Sequence, residues 1–292
     1  MFAKQMILFA LVVSLFSGFS LKQPVAEKEK YTALENYLKA GKINARLTAL
    51  GGHSENCMSI ELKNLSKDTV FLFLEPGRRL LASDTTLQDI LIVKKQNIIL
   101  APLAVQRING YGFCCESNNS SPSKEATYSI GRMAPDSWVK LAEFISTNKF
   151  PKEALQSAVW VMSNDHDISS VHAEDEKSIQ PLRKLLGELK GVEVPWYSKT
   201  YEKDANMVFS GRQEYILGTI HYKLKNNAIV SIVVRDKWGT IAKTLVEEAA
   251  KGPGPQEYDL QLNVKGWGKG EYTITIMQDY SNVNSSLSFK ID

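Results

Sequence analysis

Two stretches of period-two hydrophobic alternation, over about residues 43–131 and 206–292, flank a block, 132–191, whose apolar residues recur at helical spacing. That arrangement restricts the fold more than any composition figure, because side chains of a strand alternate between two faces while those of a helix return every three to four residues. In the first stretch Met58, Ile60 and Leu62 alternate with Ser59, Glu61 and Lys63. Asn64–Asp68 is turn chemistry, and Thr69–Glu75 reads as the antiparallel return, broken by Pro76-Gly77. Ile43–Leu50, Asp89–Lys94, Asn97–Ala101, Val105–Cys115 and Ala126–Ile130 complete about seven short strands, the pattern of a β-sandwich. Gly110 and Gly112 inside a strand predict a bulge or the close approach of another backbone.

The central block predicts three helices. Trp138, Leu141, Ala142 and Ile145 share a face after Pro135; Leu155, Val159 and Met162 form the stripe of a second helix opened by Pro151. Ile179, Leu182, Leu185, Leu186 and Leu189 mark a third that ends at Gly191. Residues 192–205, with Pro195-Trp196-Tyr197, read as a linker. Clean alternation then resumes in Ile216–Leu224, Tyr258–Val264, Tyr272–Ile276 and Leu287–Ile291; Ala228–Val234 is apolar on both faces and reads as a central strand, Thr240–Val246 follows a Trp238-Gly239 turn, and a short opening strand is expected near Val208. The expected fold is therefore mainly β: an N-terminal β-sandwich with an appended α-helical subdomain, then a seven-stranded C-terminal β-sandwich.

Asn226–Leu245, Pro253–Leu262 and Lys269-Gly270-Glu271-Tyr272 resemble the Ig-like domain family found at the ends of many secreted bacterial proteins. That family includes the flagellar hook-cap Ig-like domain and the type IX secretion sorting domain. The resemblance spans about 206–292 and implies an Ig-like sandwich.

The N-terminus points to export. Lys4 precedes an apolar run, Met6–Phe16, too short to span a bilayer comfortably, and Gly18 and Ser20 supply small residues before Leu21. Residues 1–20 read as a signal peptide and 21–42 as a lead-in helix carrying Tyr31, Leu34, Tyr37 and Leu38. The expected destination is secreted, periplasmic or cell-surface. Cleavage leaves 34 basic against 32 acidic side chains, too even a balance for nucleic acid as a partner. No other run approaches membrane-spanning length, so no transmembrane segment is expected in the mature chain.

Three cysteines remain, Cys57, Cys114 and Cys115, an odd number for an exported chain. Alternation sends Cys114 and Cys115 to opposite faces of a strand, so one can pair with Cys57 in a disulfide while the other stays free. Gln156 and Trp160 lie one turn apart on the second helix and form a packing patch, with Trp160 a candidate binding residue. Phe113-Cys114-Cys115-Glu116 followed by Leu155-Gln156-Ser157-Ala158 resembles the thioester domains of bacterial surface adhesins. The resemblance implies a bond between Gln156 and Cys114 or Cys115; leucine stands at 155 where that family carries threonine. Asp165, His166 and Asp167 form part of the densest cluster of possible metal ligands, without a complete calcium or zinc motif. There is no Gly-x-Ser-x-Gly elbow or phosphate-binding glycine loop.

These readings converge on a secreted two-domain binding or surface-interaction protein without turnover chemistry and without a cofactor, its partner a protein or glycan surface ligand. The alternatives are a covalent adhesin using the Cys–Gln thioester and a metal-dependent or cysteine hydrolase. The N-terminal reading has a direct check. Exported material should begin at Leu21 on N-terminal sequencing, and a sequence beginning at Met1 would refute it.

Overall fold

The structure, a computed structural model, describes residues 31–205 and 207–292. The expected signal peptide lies outside the described residues. After a two-residue strand β1 (Thr32–Ala33), helix α1 (Leu34–Lys39) buries Leu34 within the expected lead-in. The chain then forms β2 (Ile43–Ala49), β3 (Ser54–Asn64), β4 (Val70–Leu74), β5 (Arg78–Ala82), β6 (Ile90–Ile92), β7 (Gln96–Leu100), β8 (Val105–Cys114) and β9 (Thr127–Met133).

These strands do not make a sandwich. Six of them close into a barrel, in the order β2-β3-β8-β6-β5-β9, and β1-β4-β7 form a separate three-stranded sheet. The expected return of β4 onto β3 is also replaced: β3 pairs with β2 and β8, while β4 pairs with β7. Alternation dictates which face of a strand is buried but not whether a sheet closes. Closure depends on β5, which joins β6 to β9, and on the return of β9 to β2 through Leu47 opposite Tyr128. The charged pair Arg78-Arg79 hides β5 from a hydrophobicity pattern, yet Arg78 is only 1% exposed. Its guanidinium is held by Glu75 at 2.6 Å, Glu35 at 2.8 Å and the Gly131 carbonyl at 2.9 Å. Burial works against the charged form, and the two carboxylates outweigh it, so the guanidinium stays charged.

Leu47, Met58, Ile60, Leu62, Leu80, Ile90 and Ile92 belong to the barrel core. The opposite faces of β6 and β8 are buried as well. Leu91, Val93, Phe113 and Cys115 lie beneath helices α2 (Asp136–Thr147), α3 (Lys152–Ser163) and α4 (Gln180–Lys190). Both glycine expectations hold. The β3–β8 register shifts between Asn56 and Met58, opposite Tyr111 and Gly110. A Cβ on Gly112 would stand 2.6 Å from Ile90 Cγ2 and 2.7 Å from the Leu91 carbonyl.

α4 ends at Gly191, whose φ of 67° is left-handed. The chain can fold back along the helix because Gly187 has no side chain: a Cβ there would meet Val194 at 2.9 Å. This return delivers residues 192–201 to the C-terminal unit. Trp196 Nε1 donates to the Ser288 carbonyl at 2.7 Å, its ring occupies the space over Gly218, and the Lys290 amide donates to the Tyr197 hydroxyl at 3.0 Å. Arg183, 2% exposed, donates to the carbonyls of Pro195 and Tyr197 at 2.7 Å each.

The C-terminal strands are β10 (Ser198–Tyr201), β11 (Gln213–Leu224), β12 (Ala228–Arg235), β13 (Ile241–Lys251), β14 (Gly254–Asn263), β15 (Gly270–Gln278) and β16 (Asn282–Ile291). They form two separate open sheets, β10-β11-β14 and β13-β12-β15-β16, instead of one seven-stranded Ig-like sandwich. Both sheets contribute to one core, with Ile216 and Leu262 from the first and Ile232, Ile276 and Phe289 from the second. The strand expected near Val208 is absent and β10 takes the place beside β11. Local bonds divert the intervening chain: Ser210 Oγ donates to the Glu202 carbonyl, Arg212 is clasped by Glu202 and Asp204, and Gly211 adopts a φ of 66°. No helix among the described residues is long and apolar enough to cross a membrane.

Gly112→Ala tests the doubly buried ribbon. Forcing a methyl against Ile90 and Leu91 should cost about 1–3 kcal/mol in urea unfolding, the usual range for an overpacked core. Unchanged stability would show that β6 and β8 are less closely apposed.

Candidate functional site

The expected cysteine–glutamine site is brought together only in part. Strand alternation places Cys114 in the barrel core with Cys57, and Cys115 under the helices. All three are free, buried thiols. Cys57 Sγ lies 3.6 Å from the Gly112 carbonyl and Cys115 Sγ 3.3 Å from that of Asp89, so each thiol faces a backbone acceptor. Gln156, 4% exposed on α3, does reach the strand, but its Nε2 donates to the Cys114 carbonyl at 2.7 Å. The amide is therefore engaged by backbone oxygen, and no thioester-forming arrangement is found among the described residues. Burial pushes the Cys57 and Cys115 thiols up to about 12 and raises Cys114 further, which removes the thiolate that nucleophilic chemistry requires.

The three candidate metal ligands diverge. Asp165, at a positive φ of 57°, faces solvent and pairs with Lys190. Asp167 caps the 3₁₀ turn Ile168–Ser170, accepting from the Ser169 amide at 2.7 Å. His166 turns inward, with Nε2 3.0 Å from Ser117 Oγ. Among the described residues no group of three His, Cys, Asp or Glu could hold a metal ion.

The same segment nevertheless forms one wall of a cleft. Asp165–Ile168 and the chain after α4 line, together with Tyr201, Phe209, Gln213, Lys290 and Asp292, a cavity of about 590 Å³. That volume is within the ordinary range for small-ligand sites. Phe209 is the centre of an aromatic cluster: its ring centroid is 4.4 Å from His166, 4.7 Å from Tyr201 and 5.6 Å from Trp160. Trp160 is only 6% exposed and supports the wall from behind, its indole Nε1 lacking a partner among the described residues. Burial lowers the pKa of His166, with the nearby Lys190 charge adding to the effect, so its neutral form is favoured.

Behind the cleft lining Lys199 is buried completely. Its Nζ lies 2.6 Å from Asp292 Oδ2 and 4.0 Å from Asp167 Oδ2. Asp292 also accepts from Gln213 Nε2 at 3.2 Å and pairs with Lys290 at 2.9 Å. Burial would raise the Asp292 pKa, but the ammonium groups of Lys199 and Lys290 hold it below the usual carboxylate range. The Gln213 carbonyl oxygen, on a residue 8% exposed, has no partner among the described residues.

Sequence reasoning found Trp160, Asp165, His166 and Asp167 but missed Lys199, Tyr201, Phe209, Gln213 and Asp292. A signal for Lys199 was present: Tyr197, Lys199 and Tyr201 alternate as one face of a strand. Phe209 lies in an irregular loop and carries no periodic signature.

A second polar cluster ties the helices to β10. Glu176 Oε1 accepts from Ser198 Oγ at 2.6 Å and lies 2.7 Å from His172 Nδ1, and Glu176 Oε2 is 3.3 Å from Arg183. Its serine is engaged by the carboxylate, so the arrangement braces the joint between the cleft's walls.

Asp292→Asn would leave the Lys199 ammonium, among the described residues, with only the Asp167 carboxylate at longer range. The expected loss is about 1–3 kcal/mol at neutral pH, the range for a charge-assisted hydrogen bond with a partly exposed partner. Because the folded Asp292 pKa is depressed, the contribution is complete above the ordinary value of about 3.9 and disappears as pH falls through the lower folded value. Urea unfolding at pH 7 and in acid should therefore show the two proteins converging in acid; equal stability at pH 7 would refute the pairing.

No protein-family model matches this chain, and no curated protein matches it, so the cleft's own geometry carries the functional reading.

Proposed function

We propose that the chain is an exported binding protein that holds a ligand in the cleft between its helical layer and its C-terminal sheets, without converting it. The observation carrying this reading is the aromatic wall of Phe209, His166 and Tyr201, in a cleft whose charges are already committed to one another. Such a site offers shape, an apolar face and fixed hydrogen-bonding groups. The state of Asp292 supports holding over turnover: a carboxyl kept ionised by two ammonium groups is a poor general acid near neutral pH. Lys199 is likewise engaged, between Asp292 and Asp167.

Preorganisation adds to this. The contacts of Trp196, Tyr197 and Arg183 across the joint fix the walls before a ligand arrives, reducing the ordering cost of association. Export, suggested by the N-terminal residues, would place the cleft outside the cytoplasm.

A thermal-shift screen of the mature protein against soluble oligosaccharides and short peptides tests the reading. A ligand at a hundredfold excess over Kd stabilises by about 2.7 kcal/mol, enough for a shift of several degrees. The expected result is such a shift with the ligand recovered unchanged by mass spectrometry. Catalytic accumulation of a product would overturn the non-converting role, and no shift with any member of the screen would count against the cleft as a site for these ligand classes.

A further inference from the structure

We propose that the cleft is built for a neutral saccharide unit, one ring face lying on Phe209 and a hydroxyl donating to the Gln213 carbonyl oxygen; the inference rests on the holding role proposed above. Three observations lead to it. The first is the combination of Phe209 with an unpartnered acceptor. Gln213 is buried to more than nine-tenths, lines the cavity, and uses its amide nitrogen on Asp292 while its oxygen accepts from no group among the described residues. A buried acceptor left without a donor is unfavourable, so a ligand hydroxyl that reaches it is favoured.

The second observation is charge. Lys190, Lys269 and Lys290 line the cleft and Lys199 lies behind it, against the four carboxylates of Asp165, Asp167, Glu193 and Asp292. The balance is even. Asp165, Asp167 and Asp292 also have lysine partners within 4.0 Å. A charged ligand that engaged Asp165, Asp167, Asp292 or their lysines would have to disrupt these pairs, whereas hydroxyl groups can accept from the ammonium groups and donate to the carboxylates without displacing them.

The third is shape. A cavity of about 590 Å³ suits a ligand of one or two rings, and the tilted Phe209–His166 pair presents a wall rather than an enclosing cage. The C–H face of a pyranose packs on such a wall by dispersion while its rim of hydroxyls stays available for hydrogen bonding.

The experiment is calorimetric titration of the full mature chain with cellotetraose, maltotetraose and chitotetraose, beside oligogalacturonate and a panel of neutral tripeptides. At least one neutral sugar should bind, with Kd changing less than about twofold between low and high salt because no net charge is neutralised. Phe209→Ala should weaken that binding at least tenfold and Phe209→Tyr should retain it. Because Phe209 packs on Tyr201 and His166, a variant that fails to fold is replaced by hydrogen exchange on the unmodified protein. There the bound sugar should protect residues 165–168 and 207–213. Binding of oligogalacturonate alone would overturn the neutral-ligand assignment, and protection confined to another region would overturn the site. Tripeptide binding without sugar binding would overturn the saccharide class while leaving the holding role intact. Silence from every probe would overturn the saccharide proposal and count against the holding role as well.

Discussion

The strand pair β6–β8 is buried on both faces, and the N-terminal half depends on that constraint. Ile90, Ile92 and Cys114 serve the barrel interior, while Leu91, Phe113 and Cys115 serve the layer of helices. A slip of one residue would exchange these two sets, so a single register satisfies both cores. Gly112 is required at the crossing because neighbouring backbone and side chain already occupy the position of a Cβ. The barrel and the helical layer therefore share a wall, and the placement of α3 follows from the register of β8. Gln156 makes the connection specific by holding the Cys114 carbonyl, and Trp160, one turn later, supports His166 and Phe209 in the cleft.

Much of the secondary structure was legible because it rests on local periodicity. Met58, Ile60 and Leu62 announce a strand, and Leu141, Ala142 and Ile145 announce a helix, with no knowledge of their neighbours. Closure of the barrel was not legible, since the return of β9 to β2 is a pairing between residues as distant as Leu47 and Tyr128. β5 was hidden because Arg78 is an interior arginine whose compensation comes from Glu35, Glu75 and Gly131, none adjacent in sequence. The division of the C-terminal strands into two sheets was likewise a matter of partners, β11 choosing β14 and β12 choosing β15.

The cleft shows the same limit more sharply. Asp165, His166 and Asp167 stand out in the sequence as a cluster of chemical groups, but the structure uses them separately, as an outward ion pair, an aromatic wall and a turn cap. The rest of the cleft is assembled from residues that look ordinary alone. Lys199 is a lysine in what reads as a linker, and its burial becomes intelligible only when Asp292 and Asp167 converge on it. A buried charge of this kind is tolerated because its partners arrive with the fold.

The protected thiols give the molecule an internal clock. In the folded chain burial pushes the Cys57 and Cys115 thiols up to about 12, so neither ionises appreciably at neutral pH. A thiol-directed label consequently reacts on the schedule of local opening rather than of encounter. Cys57 and Cys114 keep time for the barrel and Cys115 for the helical layer on its other side. Comparing their rates would reveal whether the shared wall gives way as one unit or peels from its helices first.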